Sequence, residues 1–293
     1  MKNMNRSYLF VPPVSSEMID KALKSEADHV IIDLEDAVAL GEKEEAGKRT
    51  LQKLLDRTSN KAVCIRINDI TTPFWRKDVE IAIEGNADSI IIPKAESGAN
   101  IQVVCEYMEE RLNRRKISYS PEVMPLVETA RGVHEAYEIA SSHRSVSRLL
   151  FGSVDFSLDV GCEPDGNGEE LLFARSQIVI ASRAAGIEAP VDTVFTDIKN
   201  EEGLRNETLR SKRLGFRGKL AIHPKQLPVI HQVFSPTQKE VEEAEAIVHA
   251  FEEAELRGLA SLSLGGKMID YPVYKKAKRL LTLSNQKGEY QRW

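Results

Sequence analysis

Two carboxylates in the middle of the chain each stand just beyond a short apolar run. Glu128 follows Met124-Pro-Leu-Val127, and Asp155 follows Arg148-Leu-Leu-Phe151-Gly152. If the two runs are neighbouring strands, their tips bring the carboxylates together. Two such groups can hold one hard divalent cation, because Mg²⁺ needs few protein oxygens and keeps several waters. Other apolar runs end the same way: His29-Val-Ile-Ile in Asp33, Glu35 and Asp36; Ala62-Val-Cys-Ile in Arg66; Ser89-Ile-Ile-Ile-Pro93 in Lys94; Ala189-Pro-Val in Asp192; Gly218-Lys-Leu-Ala-Ile in His223. Each residue also has a plainer reading. Glu128 could cap the next helix or pair with Arg131, and Asp155 could be a turn residue. Arg66 could grip an anionic substrate or pair with the Asp33–Asp36 acids, as arginine is the favoured cation of buried ion pairs. Lys94 could touch substrate or close a salt bridge, and His223 could touch ligand or orient its own loop.

The elements that carry these residues alternate. Apolar strands at Ser7–Val11, His29–Asp33, Ala62–Asn68, Ser89–Lys94, Val123–Val127, Arg148–Phe151, Ala189–Val191 and Gly218–Ile222 are separated by amphipathic stretches. The stretches Glu42–Leu55, Phe74–Glu84, Asn100–Arg114, Gly132–Ala140, Glu169–Ala185, Glu201–Leu214 and Lys239–Glu255 read as helices at a 3.6-residue period. Eight alternations predict an α/β fold, a (β/α)8 TIM barrel over residues 1–257, whose site lies at the C-terminal strand ends. From residue 258 the pattern changes to a C-terminal extension. Gly258 to Gly266 is small and apolar, which suits an arm closing over a site, and a last helix runs from Val273 to about Leu283. Asp270 lies between them, either as an N-cap of that helix or as a proton-transfer group.

Composition narrows the partners. The 293 residues are 42% hydrophobic and 29% charged with net charge −5, which gives no support for nucleic acid. No apolar run approaches the roughly 20 residues that span a bilayer, and no secretory h-region opens the chain. The three cysteines, Cys64, Cys105 and Cys162, form no C-x-x-C pair, so neither a disulfide framework nor a zinc knuckle is indicated. A cytoplasmic protein is expected. Glycine-rich phosphate loops and a G-x-S-x-G elbow are absent from the sequence.

Taken in order, Arg6-Ser-Tyr-Leu-Phe-Val-Pro12, Asp33-Leu-Glu35-Asp36-Ala-Val38, Arg66-Ile-Asn68, Pro93-Lys94, Val127-Glu128-Thr-Ala130, Phe151-Gly152 with Asp155, Ile222-His223-Pro224 and Lys267-Met-Ile-Asp270 resemble the citrate lyase β-subunit (CitE-like) family. That group, within the HpcH/HpaI aldolases, includes malyl-CoA and citramalyl-CoA lyases. The resemblance implies Mg²⁺-dependent cleavage or formation of a C–C bond in a 3-hydroxyacyl thioester, on CoA or an acyl carrier. It implies Glu128 and Asp155 as metal ligands, with Glu35 and Asp36 holding metal-bound waters. It implies Arg66 at the oxo acid and the enolate, and Asp270 as acid–base residue supplied by a neighbour in a homo-oligomer, a trimer or hexamer. One position departs: Pro13 stands where the family has glycine, removing an N–H and fixing φ. Two alternatives accompany this reading. One is a metal-dependent aldolase acting on a free hydroxy-oxo acid, and the other is a non-catalytic subunit of a lyase complex.

Overall fold

The computed structural model describes residues 5–164, 166 and 168–288. Eight parallel strands close into a barrel in sequence order: β1 (Ser7–Val11), β2 (His29–Asp33), β3 (Ala62–Arg66), β4 (Ser89–Ile92), β5 (Glu122–Val127), β6 (Leu150–Phe151), β7 (Val191–Asp192) and β8 (Gly218–Ala221), with β8 pairing back onto β1. The strands are continuous apolar runs because both faces are buried, one in the barrel and one under helices.

Those helices are α1 (Ser16–Leu23), α2 (Lys43–Leu55), α3 (Trp75–Glu84), α4 (Gly98–Arg115), α5 (Ala130–His134), α6 (Ala136–Ser141), α7 (Ser153–Val160), α8 (Leu172–Ala184), α9 (Glu201–Leu214) and α10 (Leu227–Phe234). The helix expected over 132–140 is broken at Glu135, whose backbone leaves the helical region (φ −90°, ψ 11°). Neither α7 nor α10 is foreseen as a helix.

The interior is lined at a period of two by Tyr8, Ile31, Cys64, Ile91, Met124, Leu126, Leu150, Val191 and Leu220. The opposite face of β7 and β8 holds charge instead. Asp192 and Lys219 are fully buried and pair with each other (3.1 Å), and Arg175 of α8 binds Asp192 at 2.9 Å. Glu207 of α9 completes the group, 2.6 Å from Lys219 and 3.4 Å from Arg175.

The chain forms two compact units. Asn5–His231 contains the barrel; the residues from Gln232 on contain α11 (Gln238–Leu256), a hairpin and α12 (Tyr271–Gly288). Residues 289–293 of the expected extension lie outside the described residues. In this second unit Phe251 packs against Tyr271 and Tyr274, with ring centroids 4.9 and 4.6 Å away. The stretch ending at Gly266 is more ordered than its composition suggests. Leu262–Leu264 (β9) pairs antiparallel with Lys267–Ile269 (β10) across Gly265 and Gly266, both at positive φ (57° and 77°). A two-residue hairpin turn with both central residues left-handed matches strand twist, and glycine adopts it without steric cost.

Candidate active site

The period of two decides which side chains reach the barrel mouth. Two residues past Ile31 is Asp33, two past Cys64 is Arg66, two past Leu126 is Glu128, and two past Leu150 is Gly152. Asp192 directly follows the inward-facing Val191, so it points the other way, into the charged group behind β7 and β8. Asp192 therefore leaves the set of mouth residues.

Arg66 is the hub. Its Nε and Nη2 donate to the two oxygens of Asp33 at 2.7 and 2.6 Å, while Nη1 faces Glu35 at 3.0 Å and Asp36 at 3.2 Å. The Phe10 ring lies against the guanidinium, 5.0 Å from its centre. The Asp33 oxygens also accept the N–H groups of Glu35 (3.0 Å) and Ala37 (3.2 Å), so one carboxylate fixes both the arginine and the turn carrying the other acids. Beyond Arg66, Asn68 donates its N–H (2.9 Å) and Nδ2 (2.7 Å) to the buried Asp78 of α3, whose pKa burial raises to about 6.

Lys94 ties two acids together. Its Nζ donates to Glu35 (2.6 Å) and its backbone N–H to Glu128 (2.8 Å). To aim that N–H it takes a left-handed backbone, φ 47°, which costs a residue with a Cβ roughly 1–2 kcal/mol. Glu128 is 2% exposed. Its side chain lies against Gly152, where a Cβ would fall 2.7 Å from both Cβ and Oε2 of Glu128. Burial pushes Glu128 up to about 8, and the charges of Asp155 and Glu35 add to it against the Lys94 N–H. Glu35 is also raised, by burial first, with Arg66 and Lys94 opposing. Asp155, half-buried in the first turn of α7, is thus electrostatically coupled to Glu128.

The carboxyls of Asp33, Glu35, Asp36, Glu128 and Asp155 outnumber the two cations that directly face them, Arg66 and Lys94. Among the described residues no three His, Cys, Asp or Glu side chains are grouped to hold a metal. The available donors are the carboxylates of Glu128 and Asp155, an oxygen set suited to a hard cation that retains water.

Two further expected site residues cap their own local elements. His223 is half-buried, and its Nδ1 accepts the Lys225 N–H at 3.1 Å, capping the turn Pro224–Gln226. Asp270, in the second unit, N-caps α12: Oδ1 accepts the Val273 N–H at 3.1 Å. Its neighbours Met268 (69%) and Tyr271 are exposed in the single chain, whereas Ile269 is buried.

The family model for HpcH/HpaI aldolase/citrate lyase matches residues 6–224, and one for a C–C bond lyase of the TIM-barrel fold matches residues 176–288. The chain is 35% identical to the citrate lyase subunit beta of Leuconostoc mesenteroides subsp. cremoris over 288 residues, 97% of this chain and 94% of that protein. It is 30% identical to the mitochondrial citramalyl-CoA lyase of Rattus norvegicus over 292 residues, 95% of this chain and 86% of that one. Among solved structures it resembles the Mycobacterium tuberculosis protein CitE in complex with magnesium, acetoacetate and coenzyme A, with TM-score 0.80 and 27% identity. That match covers 96% of this chain and 98% of the other.

Proposed function

Because the chain belongs to the HpcH/HpaI aldolase/citrate lyase family and is a carbon–carbon lyase, we propose that it splits a 3-hydroxyacyl thioester bearing a second carboxylate, such as malyl-, citramalyl- or citryl-CoA, into an oxo acid and an acyl thioester. The observation carrying this reading is the surplus of carboxyl groups around Arg66, among which burial pushes Glu128 up to about 8. Such a surplus calls for a cation, and Glu128 with Asp155 would hold Mg²⁺. The M. tuberculosis relative, solved with magnesium and coenzyme A, supports both the metal and the thioester.

Bound magnesium would supply Lewis-acid polarisation of the oxygen that becomes the oxo-acid carbonyl. The chain's own residues do the rest. Arg66, held by Asp33 and Phe10, presents a fixed guanidinium to the oxyanion of the departing thioester enolate, without reorganising as charge develops. Glu35 and Asp36 accept hydrogen bonds from waters at the mouth and hold them in place. Lys94 holds Glu35 through its ammonium and Glu128 through its backbone N–H, and His223 orients its own loop. The enolate carbon takes a proton in cleavage and loses one in condensation. Asp270 is the residue we assign to that transfer, with Oδ1 engaged in the α12 cap and the other oxygen carrying the proton. It would come from a neighbouring subunit of a homo-oligomer, a trimer as the simplest case.

A second reading, an aldolase acting on a free hydroxy-oxo acid, is favoured by one observation. Pro13, in the turn after β1, offers no N–H, and its carbonyl is taken by Arg49. One experiment separates the two. Purified protein with Mg²⁺ is given malyl-, citramalyl- and citryl-CoA and the matching free acids, and oxo acid is measured. Release from a thioester alone is expected. Release from free acids alone establishes the aldolase, and release from none of them refutes both.

A further inference from the structure

Lys43 occupies an unfavourable place for a cation. It is the first residue of α2, where the helix dipole favours acids, and Glu44 and Glu45 follow it there. A local reason must outweigh the dipole, and two contacts supply it. The Lys43 ammonium donates to the carbonyl of Leu34 at 2.8 Å and to the carbonyl of Glu35 at 2.6 Å. These carbonyls belong to the acid turn after β2, whose amides are already held from the other side. The N–H groups of Glu35 and Ala37 go to Asp33, that of Leu34 goes to the Arg66 carbonyl (3.0 Å), and the Glu35 carbonyl also takes the Val38 N–H (3.1 Å).

We propose that Lys43 is a positioning residue: by pinning the peptide planes of Leu34 and Glu35, it keeps the Glu35 carboxylate lodged between Arg66 and Lys94. Without the clamp those two carbonyls lose their charged donor in a half-buried site, and the Leu34–Glu35 peptide is left tethered through the Glu35 N–H on Asp33, which loosens the turn. Glu35 would then swing out of reach of Lys94 Nζ and Arg66 Nη1, now 2.6 and 3.0 Å away. The charges acting on the ammonium come from Asp33 at the end of β2, Glu35 and Asp36 of the turn, and the buried Asp78 of α3, while on its own helix Glu44 pairs with Lys48. Neutralising Lys43 therefore removes a cation from a predominantly acidic neighbourhood. Its role in turnover rests on the lyase reading; its role in holding the turn does not.

The test compares Lys43→Met, which keeps length but neither charge nor donor, with Lys43→Arg, which keeps both. Amide hydrogen exchange of the metal-free protein is followed by mass spectrometry, alongside turnover of the three CoA thioesters. Lys43→Met is expected to speed exchange in residues 34–38 at least tenfold and to leave the other strands protected. Turnover should fall roughly 10–100-fold in kcat, with KM changed less, as for other outer-shell supports. Lys43→Arg should restore most of both. Unchanged exchange in 34–38, or exchange raised equally across the barrel, overturns the proposal. If Lys43→Met does not fold, Lys43→Gln, which keeps one donor, is read by the same criteria. Should the parent cleave no thioester, the exchange result alone decides the clamp, and the lyase reading fails separately.

Discussion

Replacing Glu128 with glutamine removes one ionisable group from a nearly sealed site and leaves its shape almost unchanged. The folded protein holds this carboxyl at about 8 instead of 4.5, chiefly through burial. A raised carboxyl means that the native state binds the proton more tightly than the unfolded chain. Stability is then greatest below the unfolded value and is lost as pH rises through the window from about 4.5 to 8. At about 1.4 kcal/mol per tenfold change in proton affinity, the cost at pH 8.5 is about 5 kcal/mol in metal-free protein. For a domain of this size 1 kcal/mol moves the midpoint by about 2–4 °C. In EDTA at pH 8.5, Glu128→Gln should therefore melt about 10–20 °C above the parent, with the two curves converging by pH 5. Added Mg²⁺ should raise the parent's midpoint and leave the variant's unmoved, since a ligand stabilises only the state that binds it. Calorimetric scans from pH 5 to 8.5, with EDTA or Mg²⁺, read all of this. Parallel pH curves for parent and variant in EDTA would refute the account of the buried carboxyl, and an equal Mg²⁺ gain would remove Glu128 from the metal.

Four further outcomes are expected. Gly152→Ala places a methyl 2.7 Å from Glu128 and should cost about 1–3 kcal/mol in denaturant unfolding as well as most of the Mg²⁺ affinity by calorimetric titration. Lys94→Gly and Lys94→Ala both lose the ammonium, but only glycine accepts φ 47° freely, so Lys94→Ala should be about 1 kcal/mol less stable than Lys94→Gly. Arg66→Lys keeps charge but loses the planar fork on Asp33, and kcat should fall roughly 10²–10³-fold in the thioester assay. Asp270→Asn and Glu128→Gln homomers should each be inactive, and dissociating, mixing and reassociating them should recover part of the activity; none in verified mixed oligomers would take Asp270 out of a neighbour's site.

The barrel is legible because parallel strands buried on both faces leave apolar runs rich in Val, Ile and Leu, and seven of the eight ending in a titratable residue suggest one shared mouth. Legibility falls where parity matters and strands are short. β7 has two residues, so whether Asp192 faces the mouth or the helices turns on a one-residue register that composition does not encode. Arg66 against the Asp33–Asp36 acids is one of two readings open at the start, and the ligand-free geometry has that pairing. Lys43 is invisible in sequence, since a lysine beginning an acidic amphipathic helix resembles any surface lysine until the carbonyls of Leu34 and Glu35 close on it. The hairpin is different, because its signal is there to be read. Gly265-Gly266 between Leu262-Ser-Leu and Lys267-Met-Ile is a turn pair flanked by strand-length segments.

The charged group behind β7 and β8 bears on how this chain can change over generations. Arg175, Asp192 and Lys219 have no access to water, and Glu207 serves two of them. Losing any one member strands a buried charge at a cost of about 3–5 kcal/mol, whereas exchanging the whole set for well-packed apolar side chains is often neutral or better. The set can thus be inherited or replaced only as a block, and every single-step route out crosses a deficit that is a large fraction of the roughly 5–15 kcal/mol by which domains are stable. Drift in this lineage should accordingly accumulate elsewhere on α8 and α9 while these four positions stay fixed together.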